Sequence, residues 1–189
     1  MNNYRYNFFL VLFLIPILSM SQYETQEYEL ISNIDEIEIR YYPSSIMIKY
    51  TDDENLNRGF NYLFRYISGG NELNKKIEMT TPVHMERGEK KSSMEFVLPR
   101  EFNFKNIPKP INSKVEVYEA KNLFYASISY SGYTNPIKEK IIIKKIKSKL
   151  IEQNIQIIGK EKILVYNSPY KFFNRKNEII IPINYNVKK

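Results

Sequence analysis

The same order of periodic segments occurs twice along this chain, and that repetition constrains its fold more than any other feature. In the first half, "DEIEIRYY" alternates, with Ile37, Ile39 and Tyr41 on one face and Glu36, Glu38 and Arg40 on the other. After Pro43 the alternation resumes in "SIMIKY". Asp52-Asp53-Glu54-Asn55 then marks a helix start, and Leu56, Phe60, Leu63, Phe64 and Ile67 follow at the spacing of one helical face. Gly69-Gly70-Asn71 ends that helix, because glycine accepts the left-handed conformation a helix terminus needs. Strands are expected over 76–86 and 93–98. Beyond a loop carrying Pro99, Pro108 and Pro110 the order returns. Strands are expected over 115–119 and 123–131. A helix opens at Asn135-Pro136 and runs to about Asn154, with Ile137, Ile141, Ile142, Ile146 and Leu150 pointing one way. Strands over 155–166 and 178–183 close the pattern. Two such halves predict an α+β fold: a twisted antiparallel β-barrel built from two repeated α/β halves, with two main helices packed outside.

Composition narrows the chemistry. A chain of 189 residues, 43% hydrophobic, is long enough for one domain with a sizeable core. It has no cysteine, which excludes disulfides, thiol catalysis and thiolate metal sites. Sixteen tyrosines give it rings with polar tips, suited to a core or to a half-wet cavity. With one histidine, no Gly-x-Ser-x-Gly elbow, no spaced metal ligands and only 6 glycines, neither a hydrolase site nor a phosphate loop is written here. The expected protein is a binder, not an enzyme.

The first 21 residues read as a separate object. "FFLVLFLIPIL" (8–18) is an apolar run of 11 residues, and Ser19 and Ser21 supply small residues for cleavage before Gln22. That is the layout of a signal peptide, too short to span a bilayer comfortably. The expectation is an exported protein, periplasmic or extracellular, whose single domain covers 22–189 and has no membrane span after cleavage. Residues 1–21 carry one arginine and no acid, so the net charge falls from +7 to +6 on their removal. Much of that charge lies in "IKEKIIIKKIKSKL", read as the solvated face of an amphipathic helix. Nucleic acid is not an expected partner of an exported protein.

Two blocks are individually distinctive. One is "GFNYLFRYISGGNELNKKIEMTTPV"; the other is "YNSPYKFFNRKNEIIIPI". With "YELISNIDEIEIRYYP", "FVLP", "IPKP" and "YSGY" in the right order, the chain resembles the SOUL family of haem-binding proteins from about Tyr28 to Asn184. The resemblance implies a twisted barrel of two repeated halves and reversible binding of haem or a related tetrapyrrole. Physics supplies partial reasons for both blocks. Pro82 inside a strand removes a ladder hydrogen bond and marks an edge or bulge. In the second block, Arg175 and Glu178 are expected to pair while Asn177 bonds turn backbone.

The resemblance implies a ligand lying against the first helix and nearby loops, held mainly by apolar contacts. Phe60, Leu63, Phe64 and Ile67 would form the shelf, with Met79 and Met85 at its border. Arg58, Arg65 and Lys76 would meet the propionates. The same apolar stripe also serves as an ordinary core face. His84 is the single imidazole and the candidate axial ligand, yet strand parity sets it apart from Met79 and Met85. The competing reading makes His84 a surface or hydrogen-bonded histidine. The competing function is a module for another apolar or amphipathic small molecule, with haem binding absent or incidental.

Overall fold

The computed structural model describes residues 23–52 and 56–186. The segment read as a signal peptide and the acidic helix start at 53–55 lie outside them, as do the last three residues. In chain order the elements are β1 (Glu24–Thr25), β2 (Glu29–Ile34), β3 (Ile37–Tyr42), β4 (Ser45–Asp52) and α1 (Leu56–Ile67). Then come β5 (Thr80–Thr81), β6 (Val83–Glu86), β7 (Ser92–Val97), β8 (Val115–Ala120), β9 (Leu123–Ser131) and α2 (Pro136–Glu152). Short β10 (Gln156–Ile157), β11 (Lys162–Val165) and β12 (Lys176–Asn184) end the chain.

The long strands form one curled antiparallel sheet in the order β2-β3-β9-β12-β11-β6-β7-β4-β8, with β10 on the side of β12. Its two ends do not pair, so the expected barrel is a half-barrel. The order from β3 to β8 is a palindrome under exchange of the halves: β3 stands for β8, β4 for β9, β6 for β11 and β7 for β12. The pair His84↔Leu164 sits at its centre. Outward from there, Glu95 lies opposite His84 and Glu178 opposite Leu164. Each of those glutamates is followed four residues later by proline, Pro99 and Pro182. The first strand of each half pairs with the second strand of the other, β3 with β9 and β8 with β4. The halves therefore interlock and fold as one unit.

Both faces of the sheet are covered, by different chemistry. Under α1, Ile48, Tyr50, Met94, Phe96 and Val115 pack with Leu63, Tyr66 and Ile67. Under α2, Ile37, Ile39, Ile128, Ile179 and Ile181 pack with Ile146 and Leu150. The opposite parity, Arg40, His84, Glu95 and Glu178, turns into the concavity and is buried too. The alternation predicted from sequence is present, but its polar face meets protein instead of water.

Two helical stripes differ from expectation. In α1 the buried face is Gly59, Leu63, Tyr66 and Ile67, whereas Phe60 and Phe64 stand on an exposed flank. Glycine at 59 lets the helix sit close on the sheet, since a Cβ there would come within 3.1 Å of Met94 Cβ. Tyr66 is buried because its hydroxyl donates to Pro108 O at 2.7 Å. In α2 the buried side is Glu139, Ile146 and Leu150, with Ile137 and Ile141 exposed. Glu139 takes the place given to isoleucine because Arg87 and the Tyr130 hydroxyl reach its carboxylate at 3.0 and 3.2 Å. The start of α2 is as expected: Asn135 accepts from the Ile137 and Lys138 amides, with Pro136 in the first turn. Gly69, at φ +109°, follows the end of α1. The Thr81–Pro82 bond is cis and separates β5 from β6.

Candidate functional site

Of the places that bear on ligand binding, the concave interior is the most elaborately built. Arg40 donates to both oxygens of Glu178, at 2.8 and 3.1 Å, and through Nε to Glu38 at 2.6 Å. Glu178 also accepts from the Tyr166 and Ser129 hydroxyls at 2.7 and 3.0 Å, and Lys176 lies 3.0 Å away. The Arg40 guanidinium rests 4.0 Å from the centre of the Tyr28 ring. Burial opposes the charge on Glu178, but Arg40, Tyr166 and Lys176 hold its carboxyl down at about 2. Across the pseudo-dyad, burial likewise opposes charge on Glu95, and Lys162 above all, with Lys49 as a smaller contributor, outweighs it and lowers its pKa.

His84 belongs to this interior. It is only 4% exposed, Nε2 lies 2.8 Å from Gln26 Oε1, and Nδ1 has no hydrogen-bond partner. A carbonyl oxygen accepts, so Nε2 carries the proton. Burial first, then the Lys162 charge, pushes the imidazole down to about 3, leaving it neutral. The competing reading of this residue, a surface or hydrogen-bonded histidine, describes it in its second form. The cavity beside it, between Tyr42, Met47, Tyr125, Lys162 and Ile180, measures about 30 Å³. That admits a water or two but not a macrocycle. The interior does not fit haem.

A larger cleft of about 320 Å³ opens at the mouth of the concavity. Ile46, Val97, Leu98, Pro99 and Phe102 supply apolar lining, and the N-terminal segment lies along one side of it. That segment is tied down by β1–β5 pairing, by Gln26 N donating to Thr81 O, and by ion pairs from Arg100 to Glu24 and Glu27.

The third place is the outer flank of α1. Phe60 and Phe64, 38% and 48% exposed, stack at 5.7 Å with their planes 12° apart. Phe60 meets buried Phe96 edge-on at 5.4 Å, which fixes the shelf to the sheet. Arg58, Arg65 and Lys76 are exposed, with Arg65 about 100° round the helix from Phe64. Lys76 bridges Ser68, just past the last turn of α1. Met79 and Met85 are half-buried and pack against the α1 core, and Met85 touches the α2 core as well. Leu63 and Ile67 lie beneath the helix, so a ligand on this flank meets the two phenylalanines instead. A flat apolar surface of this kind fits the face of a tetrapyrrole. His84 is on the other face of the sheet.

Several partners had no signal in the sequence. Gln26 holds His84 from 58 positions away, and Phe96 anchors Phe60. Arg175 and Glu178, expected to pair, do not. Arg175 lies in the loop before β12, just after Asn174 at φ +49°, whereas Glu178 is inside the strand and turned into the concavity toward Arg40. Arg175 instead donates to Ser168 O and Lys171 O, while Asn177 bonds the Gly132 carbonyl in a neighbouring turn. Among the described residues no three acids or histidines converge as metal ligands, and no helix is long and apolar enough to cross a membrane.

Comparison with known proteins places this geometry. The fold is similar to the EcmrR C-terminal domain, with TM-score 0.59 and 11% identity over 83% of this chain and 98% of that one. A hydrolase from Listeria innocua is similar at TM-score 0.59 and 8% identity, over 81% and 94% of the two chains. At those identities the likeness concerns the fold alone. In sequence, the human protein "Heme-binding protein 2" is 31% identical over 137 residues, 67% of this chain and 65% of its own length. The family model described as SOUL heme-binding protein matches residues 23–182. The chain belongs to the SOUL heme-binding protein family.

Proposed function

We propose that this protein binds haem or a related tetrapyrrole reversibly on the outer flank of α1, as a carrier and not as an enzyme. The observation that carries the reading is the exposed, stacked Phe60–Phe64 pair, a flat apolar surface on a helix whose other exposed positions include Arg58 and Arg65. The ring would lie on that shelf with its carboxylates toward the cations, bordered by Met79 and Met85. Binding without a histidine ligand is expected, since His84 is buried on the opposite face. Against catalysis stands the state of the interior carboxylates: Glu178 and Glu95 are both held down by cations, whereas a general acid needs a raised pKa. The first 21 residues support export, so the mature protein would be periplasmic or extracellular and begin at Gln22.

Haemin titration tests the site. A saturable Soret shift at micromolar ligand is expected, weakened about tenfold or more by joint Phe60→Ser and Phe64→Ser replacement. His84→Ala is expected to leave the spectrum unchanged. A double variant that binds like the parent would move the ligand off α1, and no shift in either redox state would end the haem reading.

A second reading is favoured by the mouth cleft, whose roughly 320 Å³ and apolar lining suit another small amphipathic molecule. Ser44, exposed on its rim, offers the discriminating substitution. A ligand lost on Ser44→Trp but retained in the Phe60/Phe64 variant occupies the cleft.

A further inference from the structure

The two most exposed large hydrophobic side chains among the described residues are Phe173 at 83% and Tyr170 at 82%, with Phe172 between them at 74%. All three project from the β11–β12 loop. From 166 to 177 that segment contains Lys171, Arg175 and Lys176 and no acid. Isolated exposed apolar residues are ordinary on a protein surface. Three large aromatic rings within four positions are not.

The loop is built to hold them outward. Arg175 is buried, and its guanidinium Nη1 donates to Ser168 O and Lys171 O, both at 2.7 Å. The Lys171 amide donates to Ser168 O, and the Lys176 amide to Asn167 Oδ1 at 2.7 Å. The same guanidinium stacks 4.3 Å over Tyr133 of the β9–α2 turn. These bonds tie the loop's backbone to itself and to its neighbour, so ordering the rings costs little when something binds them. Lys138, in the first turn of α2, reaches the Ser131 carbonyl beside this loop and adds positive charge. The nearest acids, Glu139 and Glu178, are buried and already engaged by Arg87 and Arg40. The result is an aromatic tip with a basic collar.

We infer that this loop docks the protein on an anionic lipid bilayer, with Phe172, Phe173 and Tyr170 entering the boundary between headgroups and acyl chains while Lys171 and Lys138 face lipid phosphates. Charge complementarity selects this occupant: collar and chain are both positive, with a net charge of +7 for the full sequence that stays positive without residues 1–21. Size argues the same way, because three side chains on a narrow convex loop fall well short of the roughly 800 Å² per partner of a stable protein interface. The loop belongs to the second half of the fold, away from α1, so this inference does not rest on the haem reading.

The chain contains no tryptophan, so Phe173→Trp introduces a single emitter at the tip. With vesicles of phosphatidylcholine and phosphatidylglycerol, its emission is expected to shift to the blue and to be quenched by brominated acyl chains. The effect is expected to be much weaker on phosphatidylcholine alone. Phe104→Trp, on another exposed loop, should show neither change. Joint Phe172→Ser and Phe173→Ser replacement should lower vesicle co-sedimentation about tenfold or more, and Lys171→Glu should also lower it. Since these side chains are exposed, both variants should keep the parent's unfolding midpoint. Absence of a blue shift at lipid excess, or equal shifts at positions 173 and 104, overturns the proposal. So does self-association that disappears in the double-serine variant without any vesicle binding, which would assign the loop to a second copy of the chain.

Discussion

Glu178→Leu is expected to cost about 3–5 kcal/mol of folding stability, and Arg40→Met a similar amount, while the two together cost clearly less than their sum. Both partners are buried, at 0% and 2% exposure, and joined through two hydrogen bonds. Removing the carboxylate leaves the guanidinium with only half-exposed Glu38 as its acid, and leaves the Tyr166 and Ser129 hydroxyls without their acceptor. Removing the guanidinium leaves a buried carboxylate relying on Lys176. In the double variant neither charge is orphaned, which makes a coupling energy above about 2 kcal/mol the expected outcome of a double-mutant cycle in urea. Additive losses would mean that the pair contributes no more than its separate packing.

The pH dependence of this pair has a definite sign. The Glu178 pKa is about 2 in the folded protein against an ordinary 4.5, so its contribution is present above pH 4.5 and is lost as pH falls toward 2. Its size is about 3 kcal/mol. Glu95, at the corresponding position of the other half, offers a contrast. Its cations Lys49 and Lys162 are 29% and 20% exposed and can turn to water when the acid is removed. Glu95→Leu should therefore cost roughly half as much as Glu178→Leu. The duplicated acid is thus structural in both halves but unequal in weight.

That contrast shows what could be read before folding. The halves, the helix positions and the cap at Asn135 were legible because each rests on residues within a few positions of one another. Alternation told which side chains share a face, as with Glu38 and Arg40, but not whether that face meets water. The answer depends on curling of the sheet, which brings Tyr166 and Glu178 from one half against Arg40 from the other. The α1 stripe failed for a related reason. Phe60 and Tyr66 fit the wheel about equally well, and the choice was made by Pro108 O, 42 positions beyond Tyr66, and by glycine at 59. Of the site residues inferred from the family resemblance, Phe60 and Phe64 stand exposed together, whereas Leu63 and Ile67 lie in the core. Spacing alone assigned all four to one surface.

His84→Leu should remove the protein's sensitivity to mild acid. The unfolded chain takes up a proton on this imidazole near pH 6.5, while the folded protein, holding it at about 3, does not. Between those values the unfolded state binds more protons, so stability falls as pH falls, by about 1.4 kcal/mol per unit. From pH 6.5 to 5 the parent should lose about 2 kcal/mol, and the leucine variant almost none. The window is clean because the chain has one histidine and the Glu178 effect begins only near pH 4.5. Leucine is the natural substitute: Leu164 fills the corresponding position of the other half. The group stranded by the change is the Gln26 side chain, half-exposed and able to reach water, so near pH 7 the variant should lie within about 1 kcal/mol of the parent. Urea unfolding at pH 7.5 and 5 measures both differences. A variant that keeps the parent's slope would place the acid response on the interior carboxylates. A flat profile would mean that protonation of this one buried imidazole, and not of the interior carboxylates, governs how the half-barrel responds to mild acid.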